Sequence, residues 1–199
     1  MNKKVIKYSV TIFACLAVLY PLWVRLSGLI WSFDRTLLLN LFPAFGLLAF
    51  ALLWLHSMSG VFEPWLRRYI NFDLFVHNTS IIILISIIMH PLLLLINADF
   101  NFNNILLDYG TKYIWFGIIA WLLLITYDIG KALKKKEFFA KHWDNILIIS
   151  TIGFLISFFH SLALGSDLQS GILRGVWIFY GITAILATIY TYGIRKLLK

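Results

Sequence analysis

The chain has 199 residues, 61% hydrophobic and only 13% charged, with a mean hydropathy of +0.86. A soluble domain of that size shows far more charge, so the composition excludes one and describes an integral membrane protein. The net charge of +8 does not indicate nucleic acid, because the lysines and arginines fall in short clusters between apolar runs, and the lone Cys15 excludes an intrachain disulfide or a thiolate metal site.

In chain order, the N-terminal stretch "MNKKVIKYSVTIFACLAVLY" has the basic-then-apolar outline of a signal peptide. Phe13 suits a lipoprotein cleavage site poorly and no small-residue cleavage site follows, so the stretch reads as the first membrane helix. Stretches free of Asp, Glu, Lys and Arg then run over 8–24, 36–62, 74–98, 113–127, 145–166 and 175–194. A crossing needs about 20 apolar residues. The fourth run is short, but Tyr109, Gly110 and Asp128 can lie at the interfaces. The prediction is an all-α, integral membrane six-helix bundle, one domain over 1–199, with spans at about 8–27, 36–58, 74–96, 111–130, 145–165 and 174–194. No repeat, low-complexity tract or soluble domain interrupts it.

Basic residues set the orientation. With the N-terminus inside, the cytoplasmic segments hold Lys3, Lys4, Lys7, Arg67, Arg68, Lys131, Lys134, Lys135, Lys136, Lys141, Arg195, Lys196 and Lys199, and the outer ones only Arg25, Arg35, Lys112 and Arg174. A division of 13 to 4 predicts both termini in the cytoplasm. Trp23, Trp31, Trp115 and Trp177 fall near outer boundaries and Trp65 and Trp143 near inner ones, as interfacial tryptophans do.

That topology gives the histidines a depth. His77 lies near the inner start of the third span, and His90 follows thirteen residues on, about 20 Å further along the axis. His160 lies about two thirds of the way through the fifth span, which runs in the same direction. His90 and His160 therefore sit at similar depth on parallel helices. A single intramembrane histidine is often a hydrogen-bonded packing residue, whereas an ionisable group in hydrocarbon usually faces a partner or a cavity. Two imidazoles at one level, from two helices, are what a bis-histidine haem requires. Pro91 removes a backbone hydrogen bond beside His90 and favours a kink there, although membrane prolines are common. Thirteen residues turn a helix by about 220°, so His77 and His90 do not share a face.

The runs "FVHNTSIIILISIIMHPLLLL" and "KHWDNILIISTIGFLISFFHSLALGSD" together resemble the ferric reductase-like transmembrane domain, the six-helix haem b module of ferric reductases and NADPH oxidases. The likeness extends over spans two to six and is nearest to bacterial members, whose third helix ends in His-Pro-Leu-Leu and whose fifth ends in a histidine followed by Gly-Ser-Asp, here Gly165, Ser166 and Asp167. The resemblance implies two haems held by histidine pairs on the third and fifth helices. His77, His90 and His160 match three of those positions, but the fourth is Leu147, which cannot ligate iron. The outer haem would use His90 and His160; a second would need His77 with a substitute ligand, for which His56 and His142 are candidates. One haem and two are equally compatible with these residues.

Larger members of that family continue into a flavin- and nicotinamide-binding reductase. This chain ends at "GIRKLLK" and contains no GxGxxG-type loop, so a flavin or quinol would serve only through a partner. The lysine-rich segment 131–141 could dock an acidic donor, or it could simply fix topology and touch anionic lipid. The expected function is transmembrane electron transfer from a cytoplasmic flavoprotein or membrane quinol to an external acceptor, such as ferric iron or a partner oxidoreductase. That expectation places the protein in the bacterial cytoplasmic membrane. The haem subunit of the bacterial methionine sulfoxide reductase system has this size and topology. The alternative is a haem-free transporter or assembly scaffold that kept the fold. No catalytic nucleophile or carboxylate pair stands out.

Overall fold

The computed structural model describes all residues except 1, 30–32, 35, 198 and 199. Trp31, Arg35 and Lys199, which enter the orientation argument, therefore lie outside the described residues, as does the side chain of Lys196. Six helices are long and apolar enough to cross a membrane: α1 (Lys3–Ser27), α2 (Thr36–Val61), α3 (Phe72–Asn97), α4 (Thr111–Ala132), α5 (Trp143–Leu164) and α6 (Gly171–Ile194). The last turn of α6 widens into π-helix over Tyr190–Ile194. Short helices at Glu63–Leu66, Phe102–Tyr109 and Glu137–Lys141 lie in the connections, and the described residues include no strand. This is the architecture hydrocarbon demands, since a helix satisfies its backbone groups within itself.

Asparagines start three of the helices. The side chains of Asn2, Asn71 and Asn101 accept from the amides of Lys4, Leu74 and Asn104 at 3.0, 3.1 and 3.4 Å. Each offsets part of the unsatisfied N–H array that a helix leaves at its first turn. Gly110 takes φ +80° between the short helix and α4, a turn that a side chain would strain.

The bundle is built from two intimate pairs, α2 with α3 and α4 with α5; α1 packs on α2, and α6 closes against α2 and α5. Small residues permit the close approaches. A Cβ on Gly153 of α5 would lie 2.9 Å from the Ala120 carbonyl oxygen of α4, so the two backbones meet there. The core between the pairs is aromatic. Trp54 stacks on Tyr180 with centroids 4.0 Å apart, and Phe50 lies 4.5 Å from Trp177. Trp177 is fully buried and donates to Ser161 Oγ at 2.8 Å, so it belongs to the core and not to an interfacial belt as its sequence position suggested. Trp23 and Trp115, at 65% and 49% exposure, do have the exposure of interfacial residues.

Three helices contain a proline that leaves the carbonyl four residues earlier without its helical partner. In each case a side chain from another helix fills the gap. Pro21 frees Ala17, whose oxygen accepts from the Tyr180 hydroxyl of α6 at 2.9 Å. Pro43 frees Leu39, whose oxygen accepts from Arg25 of α1 at 3.1 Å. Pro91 frees Ile87, whose oxygen accepts from the Trp121 indole of α4 at 2.9 Å. The prolines thus convert intrahelical bonds into ties between helices, which membrane proteins tolerate because the freed group is satisfied again.

The outer surface is apolar. Ile81, Ile82, Ile85 and Ile88 project from α3, and Ile178, Phe179, Ile182 and Leu186 from α6, each more than a third exposed. Water would make that surface an aggregation site, whereas lipid makes it the solvated face. The six helices imply lipid contact.

Candidate functional site

His90 on α3 and His160 on α5 meet inside the bundle, with ring centroids 6.4 Å apart and ring planes at 83°. Each ring is seated in the same way. His90 Nδ1 lies 2.7 Å from the Phe42 carbonyl oxygen of α2, and His160 Nδ1 lies 2.8 Å from the Tyr113 carbonyl oxygen of α4. A carbonyl oxygen only accepts, so Nδ1 carries the proton in both rings and Nε2 keeps its lone pair. No hydrogen bond engages either Nε2 among the described residues.

Glycines make the seating possible. Gly46 follows Phe42 by one helical turn, and a Cβ there would stand 3.0 Å from His90 Cε1 and Nδ1. Gly117 follows Tyr113 by one turn, and a Cβ there would stand 2.6 Å from His160 Cε1. A side chain at Gly117 would displace the imidazole from its carbonyl, and one at Gly46 would crowd it. Within each intimate helix pair, then, one helix supplies the histidine and the other supplies a glycine and an exposed carbonyl. Phe42 adds its ring 5.6 Å from that of His90.

Geometry tests what this pair could hold. With a metal–nitrogen bond of about 2 Å on each side, and each ring centre about 1.1 Å behind its nitrogen, two imidazoles holding one metal from opposite sides would be spaced about 6.2 Å between centres. The observed separation of ring centres, 6.4 Å, is close to that spacing. A ligating histidine almost always donates its other N–H to a carbonyl or carboxylate, which fixes the tautomer and raises ligand basicity. Both rings have that bond already. The residues present fit an axial pair for a planar iron group.

The remaining histidines are not gathered at this pair. His77 is exposed on α3, as the 220° rotation from His90 requires, and no hydrogen bond or ring contact ties it to another histidine among the described residues. His142 precedes α5 and packs on Phe138 with ring centres 4.8 Å apart. His56 on α2 lines a cavity of about 330 Å³ in the half of the bundle that carries the chain ends, and Leu147 lines the same cavity. His56 is seated differently from the pair: its Nε2 is hydrogen-bonded to the Thr79 hydroxyl. Sequence reading singled out the histidines because polar groups stand out in apolar runs. It missed Gly46, Gly117 and the carbonyls of Phe42 and Tyr113, whose only trace is a glycine four residues after an aromatic on each neighbouring helix.

At the rim opposite the chain ends, Arg25 joins three elements. It donates to Asn40 O at 3.2 Å as well as Leu39 O, and pairs with Asp167 at 3.4 Å just beyond α5. Both partners are largely buried, and the contact fixes the loop that follows His160.

The class that fold and site define is a multi-pass membrane protein with a half-buried histidine pair between its helices. Comparisons of the chain with protein-family models, with curated proteins and with solved structures found no match.

Proposed function

We propose that the protein is a haem b electron-transfer subunit of the ferric reductase-like kind, with both termini in the cytoplasm, carrying electrons across the bacterial cytoplasmic membrane to an external acceptor such as ferric iron or a partner oxidoreductase. The donor in this reading is a cytoplasmic flavoprotein or a membrane quinol. The observation that carries it is the paired seating of His90 and His160: matched Nδ1–H donation to backbone carbonyls, lone pairs left on Nε2, and ring centres 6.4 Å apart. The 13-to-4 division of basic residues supports the orientation.

A haem between these rings would supply one-electron redox chemistry. The chain's own contribution is to hold and tune it. Phe42 and Tyr113 carbonyls fix both imidazoles in one tautomer, Gly46 and Gly117 let the rings lie flush against the neighbouring helices, and the lipid-facing isoleucines keep bulk water away.

The test is a reduced-minus-oxidised absorption spectrum of the purified protein, with haem measured per chain. Wild type is expected to show a low-spin bis-histidine signal, and His90→Ala or His160→Ala to lose it, because a six-coordinate iron cannot survive loss of an axial nitrogen. His77→Ala and His142→Ala are expected to keep it. A wild-type protein without haem, or full haem in the His90 and His160 variants, would overturn the reading in favour of a haem-free membrane protein.

A further inference from the structure

The connection between α4 and α5 is strongly basic: residues 131–141 hold five lysines and one glutamate. The histidine pair makes no use of them. Two of the lysines lie back on aromatic rings, Lys134 over Trp143 at 4.1 Å and Lys131 over Tyr127 at 5.7 Å. The Tyr127 and Trp143 rings are themselves in contact, with centres 5.8 Å apart. Lys135, Lys136 and Lys141 are exposed, and no ion pair or ring contact engages their charge among the described residues.

An apolar ring stands among these charges. Phe138, in the short helix Glu137–Lys141, is 66% exposed and touches the His142 ring at 4.8 Å. Lys141 follows Phe138 by three residues, so the two side chains leave the same side of that helix. Water penalises an exposed phenyl ring, whereas the boundary between headgroups and acyl chains accepts the ring and the neighbouring ammonium groups together. The segment lies at that boundary, because it joins the end of one membrane-spanning helix to the start of the next. Tyrosine and tryptophan rings with lysines laid across them are what such a boundary holds. An acidic protein surface would complement the lysines alone. An anionic lipid complements the lysines with its headgroup and Phe138 with its chains.

We propose that segment 131–141 binds an anionic phospholipid, with Lys135, Lys136 and Lys141 around the headgroup phosphate and Phe138 inserted beside the acyl chains. Net negative charge is what the site selects, since a zwitterionic headgroup carries its own cation against the phosphate. The proposal holds whatever group the histidine pair carries.

The test is native mass spectrometry of the full chain, purified in detergent and titrated separately with phosphatidylglycerol, phosphatidylcholine and a deca-glutamate peptide. Wild type is expected to bind phosphatidylglycerol at least about 10-fold more tightly than phosphatidylcholine. Each of the three lysines is expected to contribute about 5-fold, so the variant carrying Lys135→Gln, Lys136→Gln and Lys141→Gln together loses about 100-fold in phosphatidylglycerol affinity, and the preference with it. A second variant, with Lys3→Gln, Lys4→Gln and Lys7→Gln, removes the same charge from the start of α1 and is expected to keep the preference. Phe138→Ser is expected to weaken both lipids by a similar factor. Equal wild-type affinity for the two lipids, equal losses in the two triple variants, or full lipid affinity in Phe138→Ser overturns the proposal. So does deca-glutamate binding that depends on the three lysines while phosphatidylglycerol binding does not, a result that assigns the segment to an acidic protein. Should the loop triple variant fail to fold, the three single substitutions decide, each by its own loss.

Discussion

Two glycines govern the histidine pair as directly as the histidines do. His160 Cε1 stands 2.6 Å from where a Cβ on Gly117 would lie, closer than real side chains approach, while the equivalent distance at Gly46 is 3.0 Å. Gly117→Ala must therefore push the imidazole off the Tyr113 carbonyl, whereas Gly46→Ala asks only a small adjustment of His90. The expected outcome is a large loss of low-spin haem signal in Gly117→Ala and a smaller loss in Gly46→Ala, with both variants eluting as folded protein. Equal, full haem in both would show that the seating does not matter to the ligand pair. Because the substitutions leave both histidines in place, the comparison separates ligand identity from ligand orientation.

Among whole helices, the prolines set the ties between neighbours. Pro91 lies next to His90, and its effect falls on Ile87, whose freed carbonyl is held by Trp121 one turn beyond Gly117. The tie therefore links the histidine-bearing part of α3 to the glycine-bearing part of α4. Trp121→Phe leaves that carbonyl without its donor, and the expected cost is about 0.6–2 kcal/mol, the range for polar contacts between membrane helices. Thermal unfolding in detergent measures it. Pro91→Ala restores a backbone N–H to the same carbonyl, so Trp121→Phe is expected to cost less in a Pro91→Ala background than alone. A double-mutant cycle with no coupling between the two would refute this account of the proline.

For the whole molecule, six helices are long and apolar enough to cross a membrane, and in the proposed reading both ends of the chain lie on the face that the basic residues select. A reporter inserted within 131–141 or fused after Lys199 is expected to read as cytoplasmic, and one inserted between Asp99 and Asn104 as external. An external reading at the C-terminus would invert or break the six-span topology. Segment 131–141 has structural uses already: Lys134 lies over the Trp143 ring at 4.1 Å and Lys131 over Tyr127 at 5.7 Å. The Lys134 contact ties the segment just after α4 to the start of α5, while the Lys131 contact lies within α4 itself.

The amino-acid order alone determined the number of crossings and singled out His90 and His160, because the cost of a polar group in hydrocarbon is large, local and nearly independent of what the helix packs against. It also showed that His77 faces away from His90, since helical pitch needs no partner. Which helices pair, however, depends on where small residues let backbones touch, and the spacing of Gly46 and Gly117 after an aromatic does not single them out, because Trp177 and Gly181 share it. The destination of a carbonyl freed by proline, the tautomer of each histidine and the sharing of one cavity by His56, Ser80 and Leu147 all arise between segments far apart in the chain. Trp177 marks that boundary within a single residue: its position near a helix end suggested an interface, and its burial against Phe50 and Ser161 was decided only when α6 closed on α2 and α5, because interhelical packing has no counterpart in local hydropathy.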